Sequence, residues 1–313
     1  MDAILQPRRS RVRRQSRGRR LCLSSRDIEI FRLLERYRYL RSSFVCAFFP
    51  DADRTGLIKR LGDLFHEGYL DRPVQQYQYA NALYLPAVYE LNERSIAALR
   101  DYGHVVHSRP IVPRQFSHQL MIADAVASIE LGTRERPLRF ITACEIMAKA
   151  PRGASERGVS LRASVLKPGV APAEVYVVPD ALFGLEYQNK EGSAYRFFAL
   201  EADRNTMPVS RARLEQSSYM RKLLAYQDVL ARGMHRTHLG ISTLFILTVT
   251  QNETHKKNIM ALLNKASGAQ FFLFKTMGSL GDGMKAPLPT AHMLLEPWQR
   301  QGHPPLNIAN AKG

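Results

Sequence analysis

Apolar periodicity begins near Ser25, where Ile28, Phe31 and Leu34 recur at helical spacing and Ile30 and Leu33 widen the stripe. Ser25 stands where an N-cap belongs. A second short helix is predicted over 42–49, ended by Pro50. Asp53 then caps a third helix, with Leu57, Ile58, Leu61, Leu64 and Phe65 as its expected buried face and Gly68 as its stop. Residues 69–72 read as a strand, 75–79 as a polar, aromatic turn, 83–91 as a returning strand and 93–102 as a further helix. Three short helices followed by a two-stranded hairpin is the element order of a winged helix-turn-helix, here expected over 26–105.

A second domain is expected over 112–275, after a linker (107–115) that Pro110 and Pro113 bracket. It opens with a helix over 116–131, buried through Leu120, Ala123, Ala127 and Leu131. A strand at 138–143 follows. Residues 151–173 are weakly patterned and fit a loop or an edge hairpin. Strands are predicted at 174–178, 181–186 and 195–202, with a turn at 188–193 between the last two. A long helix over 211–232, an apolar strand at 243–250, a helix over 253–266 and a strand at 270–274 complete it. The Pro/Gly-rich tail, 276–313, reads as irregular, and no internal repeat is visible. The fold class is therefore α+β.

Composition narrows the function. The chain has 313 residues, 45% of them hydrophobic, enough for packed cores. No run reaches the roughly 20 apolar residues of a membrane span, and no secretory apolar segment is present. Three cysteines (Cys22, Cys46, Cys144) without a CxxC pair argue against a disulfide framework and a cysteine zinc site. These features give a cytoplasmic expectation. Lys plus Arg is 45 against 28 acidic residues, a net charge of +17. Nine arginines and one acid, Asp2, in the first 26 residues supply +8 of it, so the remaining chain is basic too. Such a balance points to nucleic acid, because each cation at a phosphate releases condensed counterions. Residues 1–25 read as a disordered basic arm able to lie along phosphates.

Two groups of residues carry candidate chemistry. On the third helix Arg54, Thr55, Lys59 and Arg60 form an outward set suited to phosphates and guanine edges of double-stranded DNA. The hairpin adds Arg72, Gln75, Gln76, Tyr77 and Gln78. In the second domain Pro179-Asp180 ends a strand, and Leu200-Glu201-Ala202-Asp203 ends the next. Glu201 and Asp203 alternate onto one strand face, and antiparallel pairing would bring Asp180 near Glu201. Three converging carboxylates suit Mg²⁺ held through oxygen, which can activate water and stabilise charge on a scissile phosphate. Tyr219, Lys222, Leu223 and Tyr226 share one helix face, so Lys222 can reach those carboxylates as a catalytic cation; a surface lysine or a salt-bridge partner of Glu201 or Asp203 is the alternative.

Pro-Asp, a strand, then Glu-x-Asp within an αβββαβ order resembles the PD-(D/E)xK nuclease superfamily. Gly68-Tyr69-Leu70, Tyr89-Glu90-Leu91-Asn92, His118, Pro179-Asp180, Leu200-Glu201-Ala202-Asp203, Lys222 and Tyr226 together resemble the replication-relaxation family of plasmids and integrative elements, over about residues 25–250. The resemblance implies a DNA-binding protein of element replication, relaxation or mobilisation with a nuclease-like second domain. Asp203 stands where such nucleases carry lysine, which shifts the expectation to DNA binding in the replication, mobilisation or gene control of such an element without strong catalysis, Mg²⁺ entering only with nuclease activity. The alternatives are a Mg²⁺-dependent endonuclease using Asp180, Glu201, Asp203 and Lys222, and an adaptor whose winged helix binds a relaxase or replication initiator. A bacterial, nucleoid- or plasmid-associated homodimer fits all three.

Other features are weaker. His118 reads as structural, and it does not share a helix face with Asp124. His235 and His238 lack partners at zinc spacing. The glycine-rich 278–283 lacks the lysine of a phosphate loop, so no nucleotide cofactor is expected. Cys144 reads as a packed core residue.

Overall fold

The computed structural model describes residues 9–18, 21–78, 81–106, 116–153, 158–167, 170–189, 192–204, 219–264, 268–277 and 286–311. The chain divides into two compact units: Met1–Ala127 with Asp282–Pro289, and Ser128–Gly281 with Thr290–Gly313. The division thus falls inside the helix Phe116–Thr133; the expected linker at 107–115 lies outside the described residues.

The first unit runs α1 (Ser25–Tyr37), β1 (Leu40–Arg41), α2 (Ser42–Phe48), α3 (Arg54–His66), β2 (Leu70–Asp71), β3 (Val88–Leu91) and α4 (Glu93–Asp101). Ser24, one residue before the expected cap, starts α1 in a capping box with Asp27. Asp53 accepts the Thr55 and Gly56 amides at the start of α3. Gly68 takes φ +83°, where a side chain would strain the turn into β2. Phe31, Leu34, Phe44, Leu61, Leu64 and Leu70 fill the core. Three expectations change. Ile58 lies on the solvent side of α3, 44% exposed. The returning strand is only Val88–Leu91, because 81–84 form a turn closed by the Tyr84 amide on the Asn81 carbonyl (2.9 Å). The sheet also gains β1, in the order β1-β3-β2.

Residues 9–18, expected to be disordered, lie in place along α3 and β2. Arg9 pairs with Asp63, and Arg14 pairs with Asp71 while donating to the Phe65 and Leu70 carbonyls (2.9 and 3.1 Å). Ser16 Oγ and the Arg17 amide donate to Glu67 (2.6 and 3.1 Å). The Gln15 amide donates to His66 Nδ1 (3.0 Å), which requires a neutral ring at that nitrogen. Burial, then the Arg9 and Arg72 charges, push His66 down to about 4, so it stays neutral. Charged hydrogen bonds, not apolar burial, order this segment.

The second unit begins with the last residues of α5 (Phe116–Thr133) and continues through β4 (Leu138–Ile141), α6 (Ala143–Lys149), β5 (Leu161–Lys167), β6 (Val170–Val177), β7 (Ala181–Asn189) and β8 (Gly192–Asp203). Then follow α7 (Tyr219–Ala231), α8 (Met234–Leu239), β9 (Phe245–Thr250), α9 (Glu253–Ala261), β10 (Phe272–Thr276), α10 (His292–Leu295), β11 (Trp298–Arg300) and β12 (His303–Leu306). Seven strands form one mixed sheet in the order β12-β11-β10-β9-β8-β7-β4. Within it β8, β9 and β10 are parallel neighbours and the other pairs are antiparallel. The stretch read as a loop or edge hairpin is the separate β5–β6 hairpin, and the Ser164 amide ties it to Asp228 of α7 (2.7 Å). The tail read as irregular instead contributes α10, β11 and β12, with Trp298 fully buried. Of the long helix expected over 211–232, only the part from 219 falls among the described residues.

The two sheet faces differ in chemistry. On one, Phe140, Phe183, Phe198 and Phe245 form a cross-strand ladder with centroids 5.2–5.8 Å apart. On the other, Leu182, Ala199 and Ile246 pack with Tyr219, Leu223, Tyr226 and Val229 of α7. Gly184 permits this packing, since a Cβ there would meet the Phe197 ring at 2.9 Å. Among the described residues no helix is long and apolar enough to cross a membrane.

Candidate functional site

The α7-facing side of the sheet turns polar at the C-terminal end of β8. Glu201 stands opposite Thr248 and Asp203 opposite Thr250 across the parallel β8–β9 pair. Alternation along β8 puts both acids on the face covered by α7. Asp180, just before β7, folds back so that its Oδ2 accepts the Ala202 amide at 2.9 Å. The antiparallel register that pairs Ala181 with Leu200 sets this approach, as the sequence spacing predicted.

Glu201 is almost fully buried, and both its oxygens are engaged. Lys222 Nζ pairs with Oε2, and the Tyr226 hydroxyl donates to Oε1. Tyr219, one turn before Lys222, hydrogen-bonds Thr248. The helix face Tyr219-Lys222-Tyr226 therefore meets the carboxylates. Burial, with Asp180 adding repulsion, raises Glu201 to about 7 even though Lys222 and Tyr226 favour its charge. Burial alone would lower Lys222, but Glu201 and Asp180 hold it above its ordinary value. Burial, then the Glu201 charge, pushes the Tyr226 phenol upward. At the far end Asp203 Oδ2 lies 3.0 Å from His255 Nε2, in the first turn of α9.

Sequence reasoning missed two members of this cluster. Thr248 carried a usable signal: Thr248 and Thr250 are polar positions at period two within the apolar strand Phe245–Thr250. His255 carried none, since its approach to Asp203 depends on α9 starting at Asn252.

As placed, the carboxylates do not fit a divalent cation. Lys222 and Tyr226 occupy Glu201, the Ala202 amide takes one oxygen of Asp180, and His255 takes one of Asp203. Among the described residues no group of three His, Cys, Asp or Glu stands ready to hold a metal ion. The arrangement can hold a proton on Glu201 near neutral pH, with Lys222 balancing its charge when the proton leaves.

The expected DNA-contacting residues separate into two groups. Arg54, Thr55 and Lys59 are exposed along α3. Four others are engaged inside the first unit, while Gln75 is half-buried and Gln78 exposed. Arg60 clasps Asp27 (2.7 and 3.0 Å) and donates to the Cys22 carbonyl (2.8 Å). Arg72 lies over the Phe65 and Tyr89 rings and donates to the Tyr89 hydroxyl and the Arg11 carbonyl. Gln76 is buried, its amide bonded to Pro73 and Val88 main chain, and the Tyr77 hydroxyl donates to the Arg11 carbonyl. Gln76 and Tyr77 thus hold the turn they were expected to project from.

Of the weaker candidates, Asp124 is wholly buried and salt-bridged to Arg41 (3.0 Å), and Cys144 is exposed rather than core. His118 is half-buried on α5. His235 is buried, His238 Nε2 lies 2.9 Å from the Gly158 carbonyl, and 278–283 lie outside the described residues.

No curated protein and no solved structure matches the chain. The model of one family, described as replication-relaxation, matches residues 31–244, a span that runs from the middle of α1 through α4 and includes Asp180, Glu201, Asp203, Lys222 and Tyr226. With more than half of its length matched, the chain belongs to the replication-relaxation family.

Proposed function

We propose that this protein binds double-stranded DNA in the replication or mobilisation of a plasmid or integrative element. The observation that carries the reading is α3: capped by Asp53, buried through Leu57, Leu61 and Leu64, and presenting Arg54, Thr55 and Lys59 to solvent. Three helices with a small sheet support a winged helix-turn-helix, in which such a face enters the major groove. The net charge of +17 supplies the sequence-independent part of the affinity. Arg60, Arg72, Gln76 and Tyr77 support that face from within by fixing α3 and the turn beside it.

A second reading, a Mg²⁺-dependent endonuclease of PD-(D/E)xK type, is favoured by one observation. Lys222 reaches Glu201 from α7, supplying a cation that Asp203 does not. Within the second unit the order β4-β7-β8-α7-β9, with α6 and the β5–β6 hairpin inserted after β4, supports such a body. The engaged carboxylates argue for binding without strong catalysis, and no chemical step is derived through a metal. Supercoiled plasmid incubated with Mg²⁺ or Mn²⁺ separates the readings. A gel shift without nicking is the expected result. Nicking lost in both Asp180→Ala and Glu201→Ala would make the protein a nuclease, and neither a shift nor nicking would contradict both readings.

A further inference from the structure

Between β2 and β3 the first unit makes an excursion whose apolar side chains face water. Tyr84 is 91% exposed, Leu83 54% and Val74 73%. Neighbouring exposed apolar residues on a soluble unit mark a contact surface more often than chance exposure does. The backbone beneath them is held in place. The Arg11 guanidinium donates to the Leu83 and Leu85 carbonyls, and the Arg11 carbonyl receives Arg72 and the Tyr77 hydroxyl (2.7 Å each). The Tyr84 amide closes its own turn on Asn81. The arm thus grips both flanks of Tyr84 through the main chain and leaves the ring outside. On the same arm Arg13 and Arg17 remain exposed.

We propose that Leu83 and Tyr84 form an apolar wedge that stacks on unstacked bases of the DNA engaged by the first unit. The proposal rests on the DNA-binding reading above and assigns this turn a separate task. Two properties select nucleic acid as the occupant. The tip pairs a planar aromatic and an aliphatic side chain, a combination that wedges between bases, and arginines suited to phosphates lie on the strap that holds it. The fixed backbone matters as well, because a wedge on a pre-ordered turn loses little further freedom on insertion. The proposal gives the arm a role its composition does not suggest, since Arg11 sets the tip in position instead of contacting phosphate.

The test uses the full chain and two short fluorescent duplexes, one fully paired and one with a central bulge whose bases are already unstacked. A bulge has already met the cost of unstacking, so a wedge is expected to bind it more tightly, by about tenfold. Wild type is expected to prefer the bulged duplex by that factor. Tyr84→Ala is expected to lose the preference while its affinity for the paired duplex changes little. Tyr84→Phe, which keeps the ring, is expected to retain it. Because Tyr84 is exposed, an unchanged melting temperature verifies that Tyr84→Ala is folded. Equal binding of the two duplexes by wild type, or a preference that survives Tyr84→Ala, overturns the wedge and leaves the DNA-binding reading standing. Failure of wild type to bind either duplex at low salt overturns both.

Discussion

Two buried carboxylates, one in each unit, face a single cation and behave differently. Asp124 meets Arg41 in the first unit; Glu201 meets Lys222 in the second. Both are almost completely shielded from water, and burial raises both, to about 6 and about 7. The surroundings differ. Arg41 is buried with its partner, and its Nε spans both Asp124 oxygens (3.0 and 3.3 Å). Lys222 keeps a 29% exposed side chain, and Glu201 has a second carboxylate, Asp180, as a neighbour and Tyr226 as a donor. A closed pair with no competing charge is a structural clasp. A pair with a repelling neighbour and a solvent-reaching cation can exchange its proton near neutral pH, the property expected where charge must respond to something outside.

The largest effect is expected from breaking the clasp. Asp124→Ala leaves the Arg41 charge buried without its partner and should cost about 3–5 kcal/mol in denaturant unfolding. A loss under about 1 kcal/mol would show that water reaches Arg41, and the contrast between the two pairs would fail.

The second prediction concerns pH. A carboxyl whose folded value is raised favours the neutral form when folded. Its contribution is therefore complete below the unfolded value and is lost as pH rises through the folded one. For Glu201 that window runs from 4.5 to about 7. Glu201→Gln should match wild type near the bottom of the window. Above it the variant should be more stable, by on the order of 1–3 kcal/mol, in thermal melts across pH. Identical pH profiles would mean that Lys222 fully compensates Glu201. Asp27 provides the opposite sign: hydrogen bonds from Arg60 and Ser24 overcome its burial and lower it, so its contribution is lost as pH falls through the folded value.

The smallest effect sharpens the division among the cations of α3. Arg60→Ala removes a part-exposed pair with Asp27 and should lower stability by about 1 kcal/mol. Lys59→Ala should leave melting unchanged and weaken DNA binding. Equal melting of the two variants would place Arg60 back among the DNA-contacting residues.

The sequence told most where a periodic pattern coincided with burial. Ser42–Phe48, Asp53 as the cap of α3, and the β7–β8 pairing that carries Asp180 toward Glu201 follow from local rules. The shared face of Tyr219, Lys222 and Tyr226 came from helix geometry alone. What escaped has a common physical origin, partners far apart in the chain. Arg41 and Asp124 are linked across 83 residues, and His255 reaches Asp203 across 52. The arm looked disordered because it has few apolar residues, yet Asp63, Glu67 and Asp71 hold residues 9–18 in place through charge. The arginines expected to contact DNA divide into exposed Arg54 and engaged Arg60 and Arg72, because a sequence does not tell an exposed cation from one already held by a carboxylate, a carbonyl or a ring.

The central claim, that the exposed cations of α3 engage DNA phosphates, is tested most directly by anisotropy of a labelled duplex across a salt series. The account predicts that log affinity falls linearly with log salt, at a slope near −0.9 per phosphate contact. Arg54→Ala with Lys59→Ala should flatten that slope by about 2. An unchanged slope in the double variant, or no binding at low salt, would contradict it.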